Sequence, residues 1–152
     1  MTSSRVHRCL EPGLSIIVGT ADAHGVPSCC RGFAMRSDDD LQTLTVYVPV
    51  ATSHDVIRSL AMTRKIAVAA TQTEDHSSTQ LKGTATETRL AREDEAAFVN
   101  ERLEAFVDAL AMFGAPRRLA RTLVHWPAFA VTMRVEEIYE QTPGPKAGTR
   151  LQ

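Results

Sequence analysis

No run of apolar residues in this chain approaches the roughly 20 that a bilayer-spanning helix needs, so a membrane partner is not expected. Charge of either sign is not in excess, with 17 basic residues against 18 acidic ones. That balance removes the electrostatic reason to expect a nucleic acid or an anionic lipid surface as partner. Cysteine is scarce: three residues, an odd number, without the paired spacing of a zinc site. Neither a disulfide framework nor a bound metal is therefore expected, and a reducing compartment suits the chain better. The first ten residues carry charges with no apolar core behind them, so they do not read as a secretory signal. The expected location is cytoplasmic. No repeat and no internal linker divides the chain, which reads as a single domain over 1–152, with an N-terminal arm at 1–12 and a Pro/Gly-rich tail at 142–152.

What is present is mostly strand pattern. Residues 14–21 are β-branched and apolar, residues 22–27 form a turn around Gly25, and 28–36 should be the partner strand. Strands at 41–49, 65–72 and 80–88 follow, with a polar loop at 73–78. Between the third and fourth strands lies a short amphipathic helix, 53–62, with Val56, Ile57, Leu60 and Ala61 at helical spacing. The period then changes. From Arg92 to Phe113 a stripe of Val99, Leu103, Phe106, Val107, Leu110 and Phe113 predicts the longest helix, with Glu95 among the residues mostly off it. Pro116 starts a shorter basic helix through Leu123, and 128–135 is the last strand. Two prolines and two glycines exclude regular structure over 142–148. The expected fold is mainly β with α: a six-stranded antiparallel barrel with flanking helices. Its interior is too narrow for a large ligand, which would lie against the outside or between two subunits.

The turn joining the third strand to the short helix has two readings. Thr52 and Asp55 have capping-box spacing, which accounts for them without any ligand. Alternatively, the hydroxyls of Thr52 and Ser53 stand where the first amides of a helix, and the positive end of its dipole, can hold an anion.

Four features together resemble a known family. They are Gly25-Val26-Pro27 closing a hairpin, the strand–helix turn at Thr52 and Ser53, the strand running from Gln80 through Leu81, Lys82 and Gly83 to Ala85, and the ending from Glu140 to Gly148 with its Gln-Thr-Pro-Gly-Pro sequence. In this order and spacing they resemble the pyridoxamine 5'-phosphate oxidase-like split barrels that bind flavin mononucleotide (FMN), over about residues 13–148. The ending looks like that of a branch without an assigned activity. The resemblance implies a homodimer with FMN at the subunit interface and a small-molecule substrate. It places Arg31, Thr52, Ser53 and His54 near the phosphate, and Ser78, Gln80 and Lys82 along the ring or ribityl chain. The chain also departs from the family. Better-known members carry Ser-Arg-Lys where Ser53, His54 and Asp55 stand, a glutamine near Ser78, and a tryptophan near Glu140.

The implied activity is that of an FMN-dependent oxidoreductase or flavin-dependent reductase, in which the flavin carries the hydride and no nucleophile or general base is nominated. The alternative is a non-catalytic flavin, deazaflavin or haem binding or storage protein on the same barrel, with His54 as the haem ligand to test, or a cofactor-free dimer. Among the other residues, adjacent Cys29 and Cys30 face opposite sides of a strand and read as buried small hydrophobes. Cys9 with His7 is a two-ligand fragment without the rest of a zinc site. Trp126 reads as a packing anchor, His24 and His76 as solvated, and the tail as packing across the dimer near the cofactor.

Overall fold

The computed structural model describes residues 8–38 and 40–152. Seven strands form one antiparallel sheet: β1 Leu14–Ala21, β2 Pro27–Gly32, β3 Ala34–Ser37, β4 Thr43–Pro49, β5 Lys65–Gln72, β6 Ser78–Leu90 and β7 Ala128–Glu140. Their order across the sheet is β2-β1-β5-β6-β7-β4-β3. The expected six strands become seven because the run 28–36 divides at Phe33. One half pairs with β1 and the other with β4, at opposite edges of the sheet, so the sheet must curl for consecutive residues to reach both. Gly32 stands at that crossing, where an added Cβ would lie 2.9 Å from Ile16 Cγ2 and 3.1 Å from Val46 Cγ2. The result is a curled half-barrel flanked by helices.

The alternation read in the sequence sets which residues face inward. Val18, Val46, Val68, Leu81, Val131 and Met133 are buried inside the barrel. The longest helix, α2 Ala96–Met112, closes a second core against the outer side of β3, β4 and β7. Its buried residues Val99, Leu103 and Val107 meet Tyr47, Ala128 and Ala130 there. Each of the valines and the leucine contributes roughly 1.5–3 kcal/mol by leaving water. The stripe ends earlier than expected: the helix stops at Met112, Gly114 takes a left-handed φ of +85°, and Phe113 is 61 % exposed. Trp126 packs against this second core, as a packing anchor should.

Glu95 is a correction. A 3-10 turn, Glu93–Glu95, precedes α2 and turns this carboxylate inward, where it is 3 % exposed. It accepts bonds from Tyr47 Oη at 2.8 Å, Arg36 at 2.6 Å, both terminal nitrogens of Arg89 at 2.7 and 2.9 Å, and the Arg92 amide at 2.8 Å. These bonds, first those of Arg89, hold its pKa well below the ordinary carboxylate range.

The tail packs back on its own chain. Residues 142–148 form turns, after which the chain returns along its own β7: Glu140 N donates to Thr149 O at 2.9 Å, Leu151 N to Ile138 O at 2.7 Å, and Tyr139 bridges Arg150. The other helices are α1 His54–Thr63 and the short α3 Arg117–Ala120. Among the described residues, no helix is long and apolar enough to cross a membrane. His7, the proposed companion of Cys9, lies outside the described residues.

Candidate functional site

The sheet has an outer face that α2 does not cover. Register fixes what it displays. Cys29, Gly19, Ala67, Lys82 and Glu137 form one row across β2, β1, β5, β6 and β7. Arg31, Ile17, Ala69, Gln80 and Tyr139 form the next. Small side chains, Gly19, Ala67 and Ala69, occupy the middle. An added Cβ at Gly19 would meet nothing within 4 Å, so the floor there is flat and open.

Over the first row lies a depression of about 680 Å³, lined by Gly19, Cys29, Lys65, Ala67 and Lys82 among others. It shares Pro27, Ser28 and Cys29 with a polar cleft of about 400 Å³ at the β4–α1 turn, lined also by Thr52, His54 and Asp55. The two adjoin at these residues of β2 and together form the trough. In that turn, a 3-10 segment Val50–Thr52 precedes α1 and the N-cap is Ser53, not Thr52, so the expected capping box does not form. With φ −107° and ψ 9°, Ser53 is outside the extended conformation a side-chain cap needs. Its hydroxyl is fully buried with no hydrogen-bond partner, and no side chain caps the first turn of α1. Asp55 is paired with Arg58 at 2.7 Å, which offsets its negative charge at the helix start, and lies 3.5 Å from His54 Nδ1. His54 is 83 % exposed at the cleft.

The remaining residues named from sequence are distributed over the face. Lys82 Nζ sits 4.6 Å from the centre of the Tyr139 ring, in the wall of the depression. Tyr139 donates to Glu137 at 2.5 Å, and that bond raises the phenol's pKa. Arg31 shares the outer face, but its guanidinium lies 5.2 Å over Phe106 and donates to Ser15 Oγ at 3.2 Å. Gln80 accepts from Gln141 at 3.3 Å. Ser78 Oγ is 2.8 Å from Thr71 Oγ1, its amide donates to Thr142 Oγ1 at 3.0 Å, and the residue lines a separate cavity of about 420 Å³ beneath the tail with Cys9, Glu140 and Pro143. The trough thus joins Thr52, His54 and Lys82, with Ser53 beneath the turn; Arg31, Gln80 and Ser78 stand progressively farther along the face.

Sequence reasoning missed Lys65 and the Gly19–Ala67 floor. The signal was available in 65–71, where lysine and small residues alternate with Ile66, Val68 and Ala70. The cysteines were half anticipated. Cys30 is buried and burial pushes its thiol up to about 12, whereas Cys29 is exposed on the trough wall.

No protein-family model matches the chain, and no curated protein sequence matches it. Solved structures do. A putative pyridoxamine 5'-phosphate oxidase from Lactobacillus delbrueckii is 16 % identical, with 91 % of this chain and 93 % of that one covered at a TM-score of 0.56. An FMN-binding protein from Syntrophomonas wolfei is 11 % identical, covering 87 % and 85 % at 0.51. HutZ, the haem storage protein from Vibrio cholerae, is 10 % identical, covering 90 % and 92 % at 0.50. At these identities the likeness is one of fold: the chain has the split-barrel fold of the pyridoxamine 5'-phosphate oxidase-like proteins.

Proposed function

We propose that the protein is a dimeric FMN-binding flavoprotein, an oxidoreductase acting on a small organic substrate. The observation that carries this reading is the trough on the uncovered sheet face: a flat floor of Gly19 and Ala67 adjoining, at Pro27–Cys29, a polar cleft at the start of α1. The residues present fit the group. A planar ring needs a floor without projecting side chains. A phosphate needs donors, and the uncapped first turn of α1, the orphaned Ser53 hydroxyl, Thr52 and His54 supply them. Arg58 offsets the unfavourable Asp55 beside them. Bound flavin supplies reversible hydride transfer. The chain's own residues then position the ring, hold the anionic end, and exclude water where a second copy covers the face. The exposed Ile17 and the small residues around it leave that face open to such a copy.

A titration of the purified protein with FMN, read by flavin fluorescence, tests the reading; sedimentation tests the dimer. Saturable quenching at micromolar FMN by a species of twice the chain mass is the expected result. Absence of saturation would refute it. A second reading, haem or deazaflavin held without turnover, is favoured by the exposed His54 imidazole at the cleft and is tested by haem titration with the His54→Ala variant as control.

A further inference from the structure

One end of the barrel carries a cavity that the proposed function leaves unused. Register sets its floor. On the inward face Ala70, Thr79 and Glu140 stand side by side across β5, β6 and β7, with Leu14 on β1 next to them. Their inward direction follows from Val68, Leu81 and Ile138, two residues away on the same strands and buried in the barrel core. Cys9 packs onto the same end and is 3 % exposed. The tail forms the roof: Gln141 N donates to Ser78 O at 2.8 Å, Ser78 N donates to Thr142 Oγ1 at 3.0 Å, and Pro143 and Pro145 lie over the opening. The space enclosed is about 420 Å³, which falls in the size range of small-molecule sites. It shares no lining residue with either part of the trough.

The charges around this cavity balance, two of each sign. Arg8 and Asp75 pair at 2.9 Å, and Asp75 also accepts from the Ser77 amide at 2.9 Å. Glu140, 7 % exposed, accepts from the Thr142 amide at 2.9 Å and from the Thr142 hydroxyl. Lys146 is exposed on the tail turn. An ion entering the cavity would leave water and find its counter-charges engaged or at the solvent edge, so its desolvation would go uncompensated. The rest of the wall is apolar on one side, formed by Leu14, Ala70, Pro143 and Cys9. Burial pushes the Cys9 thiol up to about 12, so it stays neutral and behaves as a small apolar group. On the other side Ser78 Oγ is engaged with Thr71 and Thr142 Oγ1 with Ser78 and Glu140, whereas the Thr79 hydroxyl makes no hydrogen bond among the described residues. We infer that the roofed barrel end is a second small-molecule site, which takes an uncharged, mostly apolar compound whose hydroxyl or carbonyl group bonds to Thr79.

The test is amide-resolved NMR of the full chain, titrated with three probes that share one ring and differ in charge: naphthylmethanol, naphthoate and naphthylmethylammonium. The expected result is a saturable shift of the Ala70, Thr79, Glu140, Thr142 and Gly144 amides with the alcohol, each ion binding at least about tenfold more weakly. Thr79→Val keeps the side chain's shape on a half-buried strand position and removes its hydroxyl, so it should weaken the alcohol about fivefold to tenfold. Ala70→Leu fills the floor and should abolish binding; if that variant does not fold, Thr79→Val decides alone. No saturable shift at these amides, or an ion that binds as tightly as the alcohol, would overturn the inference. Binding that is unchanged in Thr79→Val would overturn it as well. FMN affinity is measured with and without saturating naphthylmethanol and is expected to be the same; competition would put the probe in the trough and refute the second site. If the chain binds no FMN, the cofactor reading fails by itself, and the naphthyl titrations still decide the site at the barrel end.

Discussion

Replacing Ser53 by alanine should make the free protein more stable and the FMN-bound protein less so. In the free chain the Ser53 hydroxyl is completely buried and has no partner. An unsatisfied buried polar group costs roughly 1–3 kcal/mol, and its removal leaves a gap of only one oxygen atom. Taking the low end, Ser53→Ala should gain about 1 kcal/mol, which for a domain of this size raises Tm by roughly 2–4 °C. With FMN the sign reverses. At a hundredfold excess over Kd, ligand stabilises the wild type by about 2.7 kcal/mol. A lost bond to a charged phosphate is worth roughly 1.5–3 kcal/mol, so Kd should rise by about one to two orders of magnitude. At the same FMN concentration the ligand's stabilisation of the variant then falls to about 0.4–1.4 kcal/mol. Thermal melts of both proteins with and without FMN should therefore cross: the variant higher without FMN, the wild type higher with it. A variant that melts lower in both conditions would place Ser53 in an ordinary structural bond. One that is stabilised equally by FMN would remove it from the phosphate site.

Other expectations follow from particular contacts. Glu95→Gln leaves three guanidinium groups facing an amide; because Arg36 and Arg92 are 49 % and 61 % exposed, the loss should lie near the lower end for a broken buried pair, about 3 kcal/mol by denaturant titration at pH 7. Because the folded state depresses the Glu95 pKa, its contribution is full above the unfolded value of about 4.3 and is lost as pH falls through the folded value. The variant should accordingly show a flatter loss of stability on acidification than the wild type. Gly83→Ala puts a Cβ 1.9 Å from the Arg134 carbonyl oxygen, at a register shift between β6 and β7, and should cost at least about 3 kcal/mol or prevent folding, as circular dichroism melts will report. Alkylation followed by mass spectrometry should modify Cys29 quickly in the native protein, and Cys9 and Cys30 only after denaturation, since burial pushes the latter two thiols up to about 12.

Most of the barrel was legible because strand alternation and turn chemistry are local. The positions of β1, β4, β5 and β6 and of α1 and α2 follow from periodicity alone. What was not legible depended on partners distant in sequence. Nothing local in 28–36 says that the run changes sheet edge at Phe33. There the alternation of faces slips by one residue, so that Cys30 faces the barrel interior before it and Met35 after it, because the slip is set by pairing with β1 on one side and β4 on the other. Glu95 reads as a solvated helix residue until Arg36, Arg89 and Tyr47 are seen to surround it. The tail's two prolines describe its turns correctly, but the pairing of Leu151 with Ile138 needs the exposed edge of β7 beyond the end of β4. At the site, the turn at Thr52 and Ser53 was visible as hydroxyls before a helix. Its joining to Lys82 was not, because that needs β2, β1, β5 and β6 in spatial order.

The most direct measurement is the visible absorption spectrum of the purified protein, before and after incubation with excess FMN and desalting. The account predicts two flavin bands that survive desalting and are diminished in the Ser53→Ala variant. A Soret-type band in the protein as purified would give the trough to haem. A colourless protein that releases all added FMN would contradict the account.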